Sequence, residues 1–300
     1  MLQSHYGGTL RMKKLQYRLT NDILFKMLFV KYPDLLKRLV AELLSIEYTD
    51  IEQFDIRNPE MPPEAMGDKF CRLDINMMVN NQRVDLEIQV EDEGNYPERS
   101  LFIWAREFST AISTGQDYAL LPRTIIISIL CFRQFTDPDK FHSEFQVLEV
   151  TNHEPLTDKC VLHFFELPKL SEQVSTTCRK ELWLKLFKAE TEEDLVKIEA
   201  LEVPIMSEAV KAYRHVSASA EFRERERLWS KARHDEAQAL RNVARLRDEH
   251  WQGVVAEKDA TLAEKDATLA EKDVTIANKD ATIADKDAII AKLQAQISNQ

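Results

Sequence analysis

The chain has 300 residues, 44% of them hydrophobic and 30% charged, and its six glycines and ten prolines exclude collagen-like and Pro/Gly-rich disordered classes. Forty basic residues against 51 acidic ones leave a net charge of −11, so the chain is no general nucleic-acid sponge, and any DNA contact must come from a local patch or a bound metal. Cys71, Cys131, Cys160 and Cys178 form no Cys-x-x-Cys pair, no apolar run reaches membrane-span length and no secretory signal opens the chain, which predicts a cytoplasmic protein with reduced thiols and no membrane partner.

The chain changes character along its length. Residues 1–14 read as an N-terminal leader open to disorder, 15–170 as a mixed α/β domain, 171–220 as a helical extension, and 221–300 as a long charged helix. In LTNDILFKMLF a helix is capped by Thr20 or Asn21. It carries Asp22 and Lys26 four residues apart, the spacing of a helix salt bridge.

The informative stretch is FCRLDINMMVNNQRVDLEIQV, residues 70–90. Leu73, Ile75, Met77 and Val79 alternate with polar residues, and so do Val84, Leu86, Ile88 and Val90, the period-two pattern of strands. Asn80-Asn81 between them tolerates the positive φ of a two-residue hairpin turn. With that turn, Met77 faces Val84 and Ile75 faces Leu86, whereas a one-residue slip mixes the two faces. The same register opposes Asn76 to Asp85, Asp74 to Glu87 and Arg72 to Gln89. Opposed carboxylates repel. Either a hard divalent cation joins Asp74 and Glu87, or the acids lie on an exposed polar face neutralised by Arg72 and Lys69.

Further along, Leu101, Ala105, Phe108 and Ile112 predict the apolar spine of a helix ending near Gly115, with Tyr118 beyond it. Thr124-Ile-Ile-Ile-Ser-Ile-Leu-Cys-Phe reads as a buried central strand flanked by helices. Opposite charges at i,i+3 and i,i+4 make 222–251 a solvated helix. From Glu257 to Ala291 a heptapeptide recurs five times, from EKDATLA to DKDAIIA. Seven is the coiled-coil period, yet Leu262, Leu269, Ile276, Ile283 and Ile290 supply only one large apolar position per repeat. Ala260, Ala263, Ala267 and Ala270 keep the 3,4 spacing, which allows a thin alanine-lined pairing of two chains. Phosphate-loop, dinucleotide-binding and Gly-x-Ser-x-Gly motifs are absent.

The ordered set LTNDILFKMLF, DKFCRLDI, VDLEIQV, ERSLFIWAREFSTAISTGQDYALLPRTIIISIL and HFFELPKL resembles the Rpn family of recombination-promoting nucleases/putative transposases, within the PD-(D/E)XK nuclease superfamily. The resemblance covers about residues 15–170. It implies a restriction-endonuclease-like α/β core, a mixed sheet flanked by helices. It also implies an enzyme that hydrolyses DNA phosphodiester bonds with Mg²⁺ or Mn²⁺ in recombination or mobile elements. Asp74 and Glu87 then become the metal-binding acids. Gln89 stands where the superfamily more often has lysine, offering a neutral dipole in place of a cation. Asp22 either approaches the site or forms its helix salt bridge. Lys69, Arg99 and Tyr118 are candidates for the DNA backbone; for each, a surface or packing role is the competing reading. The competing function is a nuclease-fold DNA- or protein-binding module with little or no turnover that works through its C-terminal coil.

Overall fold

The computed structural model describes residues 13–57, 74–173 and 176–298, side chains through 294. The sheet has six strands, β1 (Phe54–Ile56), β2 (Ile75–Val79), β3 (Gln82–Gln89), β4 (Thr124–Leu130), β5 (His142–Gln146) and β6 (Cys160–Glu166), in the order β1-β2-β3-β4-β6-β5. The pairs β3–β4 and β4–β6 are parallel, and the outer pairs are antiparallel. This mixed sheet with helices on both faces is the α/β class expected of a PD-(D/E)XK core.

The β2–β3 hairpin forms in the expected register, Ile75 opposite Leu86, Asn76 opposite Asp85 and Met77 opposite Val84. Asn80 and Asn81 both take positive φ, 47° and 63°, the double left-handed conformation that Asn tolerates. The Asn80 side chain also stitches the turn to the chain entering β1. Its Oδ1 accepts from the Glu52 and Gln53 amides at 2.9 and 3.1 Å, and its Nδ2 donates to the Asp50 carbonyl.

On one face of the sheet, β2, β3 and β4 contribute Ile75, Met77, Val84, Leu86, Ile125 and Ile127 to the main core. Helices α1 (Asp22–Lys31) and α2 (Pro33–Leu44) cover it, together with α4 (Arg179–Lys188), α5 (Glu192–Glu199) and α6 (Pro204–Ser217). The α1 N-cap is Asn21, whose side chain accepts from the Leu24 amide. The opposite face holds a smaller core of Tyr96, Ile103, Ile126, Leu130, Leu162 and Phe164 under α3 (Tyr96–Ser109). The expected spine of α3 is corrected here. Leu101 is half exposed, and the helix presents Tyr96, Ser100 and Ile103 to the sheet and stops at Ser109. Because β4 lies between two parallel neighbours, all seven of its residues are buried.

The chain divides into two compact units, one through Ser230 and one from Lys231 onward. The first contains the sheet and α1–α6. The second consists of the helix α7 (Ala220–Ser298) from Lys231 on, whose described side chains are exposed or half-exposed. Among the described residues no helix is long and apolar enough to cross a membrane.

At the carboxyl end of β6, Glu166 and Lys169 are paired at 2.7 Å with side chains 0% and 1% exposed. Glu166 Oε1 also accepts from the Gln134 and Phe135 amides at 2.6 and 3.2 Å, while Lys169 donates to the Phe135 carbonyl at 2.8 Å. This buried network pins the loop leaving β4. Removing one partner strands a charge away from water. Lys169→Met is therefore expected to cost about 3–5 kcal/mol in chemical denaturation, and Glu166→Gln/Lys169→Met to cost less than that single change.

Candidate metal centre

Strand β3 turns Asp85, Glu87 and Gln89 toward the α3 face, since alternate residues share a face and the opposing Ile126 and Leu130 pack in that core. Each strand neighbour adds a polar residue. On the β2 side Asn76 lies opposite Asp85, and one step further in that register brings Asp74 beside Glu87. On the β4 side Ser128 is directly opposite Glu87. Carboxylate oxygens of Asp74, Asp85 and Glu87 converge to within 4.8 Å of one another.

The exposed-face alternative is overturned for Glu87, which is 5% exposed; Asp74 is half-buried, and Asp85 beside them is 1% exposed. Burial comes from α3 above and from β4 alongside. Burial raises the Asp85 carboxyl well above the usual carboxylate range, and the neighbouring charges of Asp74 and Glu87 push in the same direction. Neither Asp85 oxygen receives a hydrogen bond from a protein donor; the group it faces is the carboxyl of Asp74.

Glu87 is held from the other side. Its Oε2 accepts from the Tyr96 hydroxyl at 3.2 Å, and that hydroxyl lies 3.0 Å from Ser128 Oγ. Burial, with Glu87's negative charge next, raises the Tyr96 phenol well above its ordinary value, so it stays a donor. A second anchor ties α3 to the hairpin. Glu107 accepts from Asn76 Nδ2 at 3.0 Å, and Arg83 bonds the Glu107 carbonyl at 2.6 Å and lies 3.6 Å from its carboxylate.

The donor set suits a hard divalent cation. It offers anionic oxygens only, with no sulfur or imidazole, and two of its buried oxygens have no protein donor. At an effective dielectric near 20, two ionised carboxylates about 4.8 Å apart repel by roughly 3 kcal/mol; a dication reverses the sign of that interaction.

The other expected residues lie in several places. Gln89 is half-buried at the end of β3, its Nε2 donating to the Glu91 carbonyl at 3.0 Å. Asp22 opens α1 and is not one of the three converging acids. Its charge is felt by Cys131, whose amide bonds the Gln89 carbonyl. Lys26, one turn on, is 2% exposed. Arg99 pairs with Glu93 at 3.8 Å. Tyr118 sits in a short 3₁₀ turn and is 79% exposed, which removes its packing alternative. Lys69 and Arg72 lie outside the described residues.

Asp85, Tyr96 and Ser128 are not among the candidate site residues read from the sequence. Asp85 carried a signal there, because it shares Glu87's strand face two residues earlier. Tyr96 carried none, since it reaches Glu87 only through the packing of α3.

A family model described as PD-(D/E)XK nuclease family transposase matches residues 19–243. No curated protein matches the chain, and no solved structure does.

In metal-free protein the raised Asp85 carboxyl favours folding while it is protonated and opposes it once ionised, so its contribution is lost as pH rises through its folded pKa. Asp85→Asn supplies a neutral amide that donates to the adjacent carboxylates. It is expected to raise the thermal midpoint at neutral pH, by about 2–4 °C for each kcal/mol recovered. The gain fades as pH falls below about 4, where the wild-type group becomes protonated in both states. Thermal scans of both proteins across that range check this.

Proposed function

Since this chain belongs to the PD-(D/E)XK nuclease family transposases, we propose that it is a divalent-metal-dependent endonuclease hydrolysing DNA phosphodiester bonds in recombination or the movement of mobile elements. The observation that carries this reading is the convergence of Asp74, Asp85 and Glu87 on one buried face of the central hairpin. Crowding desolvated carboxylates costs stability that a bound divalent cation would recover.

Asp74 and Glu87 hold the ion, Mg²⁺ or Mn²⁺, and Asp85 supplies a third anionic side chain. A divalent ion bound there supplies Lewis acidity toward the phosphate and lowers the pKa of a coordinated water. The protein's own groups do the positioning. Tyr96, itself close to Ser128, fixes the Glu87 carboxylate through its Oε2. Gln89, with its amide nitrogen engaged by Glu91, presents Oε1 as an acceptor that orients the attacking water. Being neutral, it cannot stabilise the developing phosphate charge as a lysine would. Arg99 reaches the DNA backbone by exchanging Glu93 for a phosphate, Tyr118 offers an exposed hydroxyl, and Lys69 adds positive charge ahead of Asp74. Salt should weaken such a local contact set only modestly, because few phosphates are neutralised.

One observation favours a second reading, a nuclease-fold binding module with weak turnover: the superfamily's usual lysine is Gln89, and Glu91 already occupies its amide. Metal binding and cleavage separate the two readings. On the first, plasmid DNA is nicked or linearised with Mg²⁺ or Mn²⁺ and spared in EDTA, and Glu87→Ala lowers the rate at least about a hundredfold. Metal at 100 times its Kd adds about 2.7 kcal/mol of stability, and Asp74→Ala removes that gain. Stabilisation by metal without cleavage under any condition supports the binding module instead. Tyr96→Phe, which keeps the ring and deletes the hydroxyl, is expected to weaken metal affinity or activity about 10–100-fold, measured as a shift in the metal-titration midpoint.

A further inference from the structure

The sheet face that carries the acids extends one strand beyond the hairpin. In the β1–β2 pairing Asp55 lies opposite Met78 and Ile56 opposite Met77. The next step is closed by the Arg57 amide, which donates to the Asn76 carbonyl at 2.7 Å. Opposed residues share a face, and successive residues alternate between faces. Phe54 and Ile56 pack on the main core. Asp55 and Arg57 therefore stand on the other face, together with Asn76, Asp85 and Glu87.

On that face Arg57 is the diagonal neighbour of Asp74, which lies two positions before Asn76. Diagonal neighbours have Cβ atoms about 7–8 Å apart, within reach of a long side chain. Both β1 and β3 run antiparallel to β2, so their carboxyl ends lie at one end of the sheet, beside Asp74. Strand β1 is an edge of the sheet and Arg57 is exposed, so its guanidinium meets whatever approaches the acids from that edge.

The second arginine on this face is committed to the protein. Arg83 donates to the Glu107 and Thr110 carbonyls at 2.6 and 3.2 Å, and its side chain is 13% exposed. Burial lowers its pKa, Glu107 opposes that shift, and the charge of Arg57 adds to it. Arg57 itself makes no ion pair or side-chain hydrogen bond among the described residues. Asp55, the acid beside it on the strand, accepts from Gln53 Nε2 at 3.3 Å.

From this placement we infer that Arg57 grips the DNA phosphate presented to the metal centre, supplying the cation that Gln89 does not. That role rests on the nuclease reading of Asp74 and Glu87. A planar guanidinium matches two non-bridging phosphate oxygens with a bidentate pair of hydrogen bonds. Those bonds strengthen as negative charge builds on the oxygens during attack by water. Arg57 stays protonated throughout, so it stabilises charge and passes no proton.

The test compares full-length wild type, Arg57→Ala and Arg57→Lys. With Mg²⁺, Arg57→Ala is expected to cut plasmid DNA at least about a hundredfold more slowly. Its metal-titration midpoint, read from thermal stability, is not weakened, because no ligand is lost and a positive charge beside the ion is removed. Binding of a DNA duplex is measured by fluorescence anisotropy over a salt series, with Ca²⁺ as the hard cation. There Arg57→Ala is expected to lower the salt slope by about one, while Arg57→Lys keeps it. If wild type cuts and Arg57→Ala cuts and binds equally well, the inference is overturned and the nuclease reading stands. A slower Arg57→Ala with an unchanged salt slope, or with a weakened metal midpoint, also overturns it. If wild type itself never cuts, the nuclease reading falls instead, and the salt slopes alone decide whether Arg57 meets phosphate.

Discussion

Three carboxylates crowd the inner face of a strand buried on both sides, and their mutual repulsion is the constraint around which this core is arranged. An ordinary antiparallel hairpin would turn Asp74, Asp85 and Glu87 to water, where a high dielectric makes the crowding cheap. Here β4 lies alongside in parallel and α3 closes over the top. The acids are desolvated and their repulsion is amplified. The neighbouring elements answer this with specific groups: the Tyr96 hydroxyl on Glu87, and Asn76 and Arg83 engaging Glu107. Asp85 receives no such group. It is the point where the fold is left unbalanced, and imbalance of this kind is what a cation site requires.

The division of labour between the two sheet faces follows from the same constraint. The face toward α1, α2 and α4–α6 is continuously apolar and holds most of the core. The α3 face holds only a small apolar cluster beside the acids. Most of the apolar core and the acidic cluster are thus placed on opposite sides of one sheet, and the strands that carry the acids are anchored through the side chains that point away from them. Ile75, Met77, Val84 and Leu86 are each 0% exposed, so the hairpin has little freedom to relieve its charge by sliding.

The hairpin was legible in the sequence because two independent signals agreed, strict alternation on both strands and an Asn-Asn pair suited to positive φ. The buried strand of Ile125–Ile129 was legible from its unbroken apolar run. The third acid was not. Alternation told which residues share a face, but whether that face meets water depends on α3, whose orientation its own sequence misreports. Leu101 and Phe102 in α3's middle turns point outward at 50% and 63% exposure, and Ile103 and Trp104 fill the contact instead. Tyr96 was invisible for the same reason, since a hydroxyl nine residues from its acceptor has no periodic signature.

The hairpin also bears on how the molecule folds. Asp74 and Glu87 are separated by a single two-residue turn, so the site's geometry rests on contacts of short sequence range that form early. Its burial depends on β4 and α3, and pairing β3 with β4 requires closure of the long crossover that contains α3. The acids are therefore gathered while still hydrated and lose their water only when the slow, non-local half of the sheet arrives. On that order of events, desolvation of the cluster falls late on the folding path. A divalent ion captured by the hydrated hairpin would lower the cost of that step and so would take part in assembly of the core.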